Sequence, residues 1–102
     1  MVIRALDHVR QCYTAADGAI IRRAIAQQLA QGRSVRLSFD GVYDVPSSFV
    51  NGAIVELLDE FQADYIKSHL TIVDATRQIA DMVRRCLANG IRRNDPPVAK
   101  RA

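Results

Sequence analysis

Two adjacent hydroxyls, Ser47 and Ser48, stand where an alternating apolar stretch hands over to a helical one. Val35, Leu37 and Phe39 alternate with Arg36 and Ser38, Asp40-Gly41 makes a turn, and Val45-Pro46-Ser47-Ser48-Phe49 opens a helix. The start of a helix gathers N–H donors and the positive end of the dipole, which suits an anion, a phosphate or a partner's acidic group. One of the hydroxyls can cap that helix, at about 1 kcal/mol. Alternatively it faces a partner, where a phosphate of about −2 charge would be favoured by the dipole and would repel an acidic partner. Ser48, Ser47, the connecting Tyr43 and the early-helix Asn51 are therefore the candidate partner-binding or phospho-acceptor residues.

Catalysis would need more than hydroxyls. A serine nucleophile requires a base within hydrogen-bond reach. His8 and His69 are the two histidines, and neither G-x-S-x-G nor a Gly-rich phosphate loop is present. The carboxylates follow helix faces, without an acid/base pairing. The expectation is a non-enzymatic protein with no catalytic residue.

Cys12 and Cys86 stand apart, with no CxxC pair and no Cys/His pattern at metal-ligand spacing. Both are expected to be reduced, Cys86 on the apolar stripe of a helix, and no metal or other cofactor is expected. The formal charge of +3 hints at nucleic acid until it is divided along the chain. Up to residue 89 the charges cancel, and the excess sits in Arg92, Arg93, Lys100 and Arg101 against Asp95. This basic, Pro-containing stretch, 90–102, is expected to be a flexible tail following a single domain over 1–89. The alternative function is accordingly a nucleic-acid-associated or inhibitor protein acting through the tail and the helix pairs Arg22/Arg23 and Arg84/Arg85.

The elements that must position the serines are legible in the hydrophobic period. Val2, Ile3 and Leu6 suggest a short first strand, and Val9 to Tyr13 a weaker one. Asp17 is expected to cap a helix running to about Gln31 with Ile21, Ala24, Ile25 and Leu29 inward, and Gly32 ends it. After the strand Val35–Phe39, a second amphipathic helix is read from Ser48 through Phe49, Ala53, Ile54, Leu57, Leu58 and Phe61. Gly52 inside it costs about 1 kcal/mol relative to Ala, so something should pack closely against the backbone there. Leu70–Val73 reads as a strand, and a third helix from Asp74 or Ala75 carries Ile79, Met82, Val83, Cys86 and Leu87 inward until Asn89-Gly90 stops it. The alternation predicts an α/β fold with a small mixed or parallel sheet, helices packed against it and right-handed crossovers.

A chain of 102 residues buries one core, about 65% of its unfolded surface, and has no apolar run of membrane-spanning length. Arg4, Asp7, His8 and Arg10 stand where a signal peptide would be apolar, so a cytoplasmic location without membrane partners is expected. An unpaired sheet edge, at the first strand or at Leu70, could join a second copy as a homodimer.

The central motif resembles the STAS-like domains, relatives of the sulfate transporter and anti-sigma factor antagonist fold, in particular their small stand-alone bacterial branch of uncharacterised function. The matching residues are Asp17-Gly18-Ala19-Ile20-Ile21-Arg22, Val35 to Val42, and Pro46-Ser47-Ser48-Phe49, covering about half the chain. In the anti-sigma factor antagonists the turn reads Asp-Ser-Ser-Gly, and its second serine is phosphorylated by a partner kinase using ATP. The resemblance places Ser48 at that acceptor position with Ser47 beside it, while Pro46 and Phe49 replace the flanking Asp and Gly. It implies a regulatory interaction module whose partner is an anti-sigma-like factor or an ATP-binding kinase of the histidine-kinase-like type.

Overall fold

The computed structural model describes residues 1–93. Three strands, β1 (Val2–Arg4), β2 (Val35–Ser38) and β3 (Leu70–Val73), form one parallel sheet in the order β1-β2-β3. Among the described residues four helices accompany them: α1 (Ala15–Ala30), α2 (Ser47–Ala53), α3 (Ala63–His69) and α4 (Arg77–Arg93). Short 3-10 turns occupy Ala5–Asp7 and Val55–Asp59. The segment Val9–Tyr13, read above as a second strand candidate, is irregular, with Cys12 buried and Tyr13 exposed.

Register explains the sheet's two faces. Ile3, Leu37 and Ile72 lie side by side and point into the core, whereas the neighbouring row Val2, Arg36 and Thr71 is exposed. Side chains alternate along a strand, so the helices cover one face, and that face carries the apolar set. The core joins Ile21, Ile25 and Leu29 of α1 to Leu37, Phe39, Phe49, Ile54, Leu57 and Ile79. Phe39 and Phe49 meet edge to face with centroids 6.3 Å apart, tying the end of β2 to α2.

Several expected boundaries move. Thr14, rather than Asp17, is the N-cap of α1: its hydroxyl accepts from the Asp17 N–H, and the Asp17 carboxylate accepts from the Thr14 N–H, a reciprocal capping box. The single helix read from Ser48 to Phe61 is broken. It stops at Ala53, tightens into the Val55–Asp59 turn, and a separate α3 follows. Phe61, Tyr65 and His69, four residues apart, stack in series with centroids at 5.6 and 4.0 Å, and the Tyr65 hydroxyl donates to the Leu29 carbonyl at 2.6 Å, satisfying the end of α1. Gly90 does not stop α4, which continues to Arg93. A Cβ at Gly90 would lie 2.4 Å from a Val55 methyl, so the glycine marks where α4 seats against the 3-10 turn.

Two glycines bring α1 and α2 into backbone contact. A Cβ on Gly18 would lie 2.5 Å from the Phe49 carbonyl oxygen, and one on Gly52 would lie 2.7 Å from that of Ala15. The close packing expected at Gly52 is therefore the backbone of α1. Arg22 reinforces the contact, donating to the Gly52 carbonyl at 3.2 Å and pairing with Glu56 at 2.6 Å.

Candidate functional site

The loop between Phe39 and Pro46 leaves the sheet at the carboxyl end of β2, the end at which open parallel sheets usually bind their ligands. Its course is held at both ends. The buried Ser38 hydroxyl accepts from the Asp40 N–H at 3.2 Å and donates to Asp74 at 2.8 Å; Asp74 adopts φ 55°, a left-handed conformation that Asp tolerates better than most residues. Gly41, at φ 87°, closes the turn in which the Val42 N–H donates to the Phe39 carbonyl.

Farther along, residues at the start of α4 take over. The Thr76 hydroxyl donates to the Tyr43 carbonyl at 2.8 Å. The Gln78 carboxamide accepts from the Val45 N–H at 3.0 Å and donates to the Val45 carbonyl at 3.1 Å, completing both backbone bonds of one residue. Between these pins the Tyr43 side chain is left 80% exposed. Such fixing lowers the ordering cost of any contact the ring makes.

Ser47 and Ser48 are both exposed at the first positions of α2. Neither caps it: Pro46 occupies the N-cap position and α2 has no side-chain cap bond. The capping reading left open for a serine therefore does not hold, because the helix begins one residue earlier than the hydroxyls would require. Ser48 instead donates across the chain to the Tyr13 carbonyl at 3.4 Å, joining α2 to the segment before α1. Tyr13 is itself 55% exposed. Tyr13 and Tyr43 line one cleft of about 170 Å³ together with Cys12, Arg10 and Gly41. At its base burial, assisted by Asp17, pushes the Cys12 thiol up to about 11, so it stays protonated.

Ser47 and Asn51 turn to a different surface. They line a groove of about 670 Å³ between α2 and α4, whose opposite wall is Cys86, Asn89, Arg92 and Arg93. Two sets of residues singled out separately in the sequence, the serine turn and the last arginines, thus meet at one place. Lys100 and Arg101 lie outside the described residues. Of the helix arginines, Arg22 pairs with Glu56 and Arg84 with Asp81, so part of their charge is neutralised locally. His69 is engaged by Tyr65 and Ser68 on α3, away from the serine turn's own contacts. Tyr13, Thr76 and Gln78 carry no local signal of this role, since only the fold brings them to the loop.

Among the described residues no group of three or more His, Cys, Asp or Glu side chains is placed to hold a metal ion, and no helix is long and apolar enough to cross a membrane. Residues 17–80 match the family model described as a STAS-like domain of unknown function. No curated protein and no solved structure matches the chain.

Proposed function

Because the chain belongs to the STAS-like domains of unknown function, we propose that it is a non-catalytic regulatory module that docks a partner protein on the surface formed by Tyr43, Tyr13 and Ser48, with Ser47 at its border. The observation that carries this reading is the Tyr43 ring, 80% exposed on a loop whose backbone is pinned on both sides. An exposed, pre-positioned tyrosine is the kind of residue that supplies much of an interface's energy. Tyr13 lines the same small cleft, and Ser48 of α2 donates to its carbonyl.

That link supplies a switch. A phosphoryl group on Ser48 would replace the donated hydrogen bond to Tyr13 and put about −2 of charge at the edge of the aromatic surface. An acidic partner surface would then be repelled. In this reading the partner is a regulatory protein of the anti-sigma-like class or the ATP-binding kinase that acts on it, as in the anti-sigma factor antagonists.

The test is affinity capture from the host's lysate with wild type, Tyr43→Ala, Ser48→Ala and Ser48→Asp, with bound proteins quantified by mass spectrometry. Wild type and Ser48→Ala should retain a common partner. Tyr43→Ala should reduce its recovery by about tenfold or more, the order expected for an interface hot spot. Ser48→Asp should release it. Equal recovery by all four proteins would overturn the assignment of this surface.

A further inference from the structure

The groove between α2 and α4 has a chemical bias that the tyrosine surface lacks. Among the described residues its lining, Ser47, Asn51, Cys86, Asn89, Arg92 and Arg93, carries no carboxylate. Asn89, Arg92 and Arg93 lie three to four residues apart on α4, and Ser47 and Asn51 four apart on α2, so each helix offers one continuous polar row. Arg92 donates to the Asn89 side-chain oxygen, which orients its guanidinium and leaves the Asn89 amide as a donor. The positive field reaches the floor: burial raises the Cys86 pKa, and the charges of Arg85 and Arg93 oppose that rise. A groove rich in donors and cationic at one end fits a ligand rich in acceptors and negative charge.

We infer that this groove receives an acidic segment of the partner protein, its carboxylates meeting Arg92 and Arg93 and its backbone meeting Asn51 and Asn89. The inference rests on the docking surface proposed above and extends it, since Ser47 lies in the groove and the adjacent Ser48 belongs to that surface. Protein carboxylates fit better than nucleic acid: among the described residues the lining holds no aromatic ring on which a base could stack. It also gives charge a local consequence. A negative group placed on Ser47 would compete for the same two guanidinium groups that the acidic segment needs.

A fluorescent oligoglutamate peptide titrated into the full chain at low and rising salt tests this. Wild type should bind with an affinity that falls with salt. Arg92→Glu/Arg93→Glu should weaken binding by about tenfold or more, and Asn51→Asp by several-fold, with helical circular dichroism unchanged. Tyr43→Ala should bind the peptide like wild type, so a failure of the tyrosine surface and a failure of the groove are read separately. Three results would overturn the inference: no binding by wild type, loss of binding on Lys100→Ala/Arg101→Ala with Arg92 and Arg93 changes silent, or tighter binding of an oligothymidylate of equal charge.

Discussion

Single side chains in this protein differ sharply in what they are free to do, and the two cysteines make the contrast measurable. Cys12 is closed in beneath Tyr13, with its thiol moved from an ordinary 9.0 to about 11, while Cys86 borders the α2–α4 groove and is raised with Arg85 and Arg93 acting against the rise. Since the thiolate is the reactive form, an alkylating reagent at pH 8 should modify Cys86 well before Cys12, as read by peptide mass spectrometry. Preferential labelling of Cys12 would show that its enclosure is wrong. The sign for stability follows from the same shift. A thiol whose folded pKa lies above its unfolded value favours the fold below about 9, and that contribution is lost as pH rises toward about 11. The denaturation midpoint should fall more across that window for wild type than for Cys12→Ala. Ser48 illustrates what was and was not legible at this scale. Its place at a strand-to-helix junction was clear from Phe39, the Asp40-Gly41 turn and the apolar spacing after Phe49. Its bond to Tyr13 was not, because that contact joins residues 35 apart and depends on how α1 crosses α2.

Elements in this fold are set by what their backbones touch. The amphipathic stripe after Phe49 continues in sequence past Ala53, which is why one long helix is expected, yet the chain tightens there into a 3-10 turn. The stripe records burial, and both geometries bury Ile54 and Leu57. α3, absent from the expected elements, is a helix whose inward face is too short to show a period, and its Tyr65 and His69 stack in series with Phe61 just before it. Gly52 signals a close approach in the sequence because a helix-interior glycine demands a reason. Gly52→Ala should therefore destabilise by about 1–3 kcal/mol or more, since the added methyl meets the Ala15 carbonyl oxygen and not a movable side chain. An exposed helical position would instead gain from the same change. Urea unfolding reads the difference, and a stabilised Gly52→Ala would mean that α1 and α2 are farther apart. For the loop, Gln78→Ala removes both partners of Val45 and should cost about 1–3 kcal/mol. In the capture experiment it should also weaken partner recovery in the same direction as Tyr43→Ala while leaving the tyrosine in place, the signature of lost positioning.

At the scale of the whole molecule, the helices pack on the apolar face of the parallel sheet, and the stability of that cover depends on how far α4 extends. A parallel sheet ordinarily has both faces shielded; here the exposed row is Val2, Arg36 and Thr71, with a charge at its centre. The outward position of Arg36 is visible in the alternation, as is the α/β class, whereas Ser38, on the same side, is buried by its contact with Asp74. The end of α4 is not legible: Asn89-Gly90 has the composition of a helix stop, and only the position of Val55 and Leu58 reveals that Gly90 is buried by contact. This alters where the chain can be trimmed to separate the arginine groove from the fold. Ending the chain at Ala88 removes the Gly90 seat and the half-buried Ile91 together with both arginines, so it perturbs packing and charge at once. A chain ending at Ala88 should melt lower than one ending at Arg93. If the lost packing is on the order of 1 kcal/mol, the difference is about 4–8 °C for a domain of this size. By contrast, Arg92→Glu/Arg93→Glu in the full chain should leave the melting temperature nearly unchanged, because both side chains are exposed. Equal melting of the two shortened chains would mean that the last turn of α4 stabilises nothing, and the domain would then end where Asn89-Gly90 suggests.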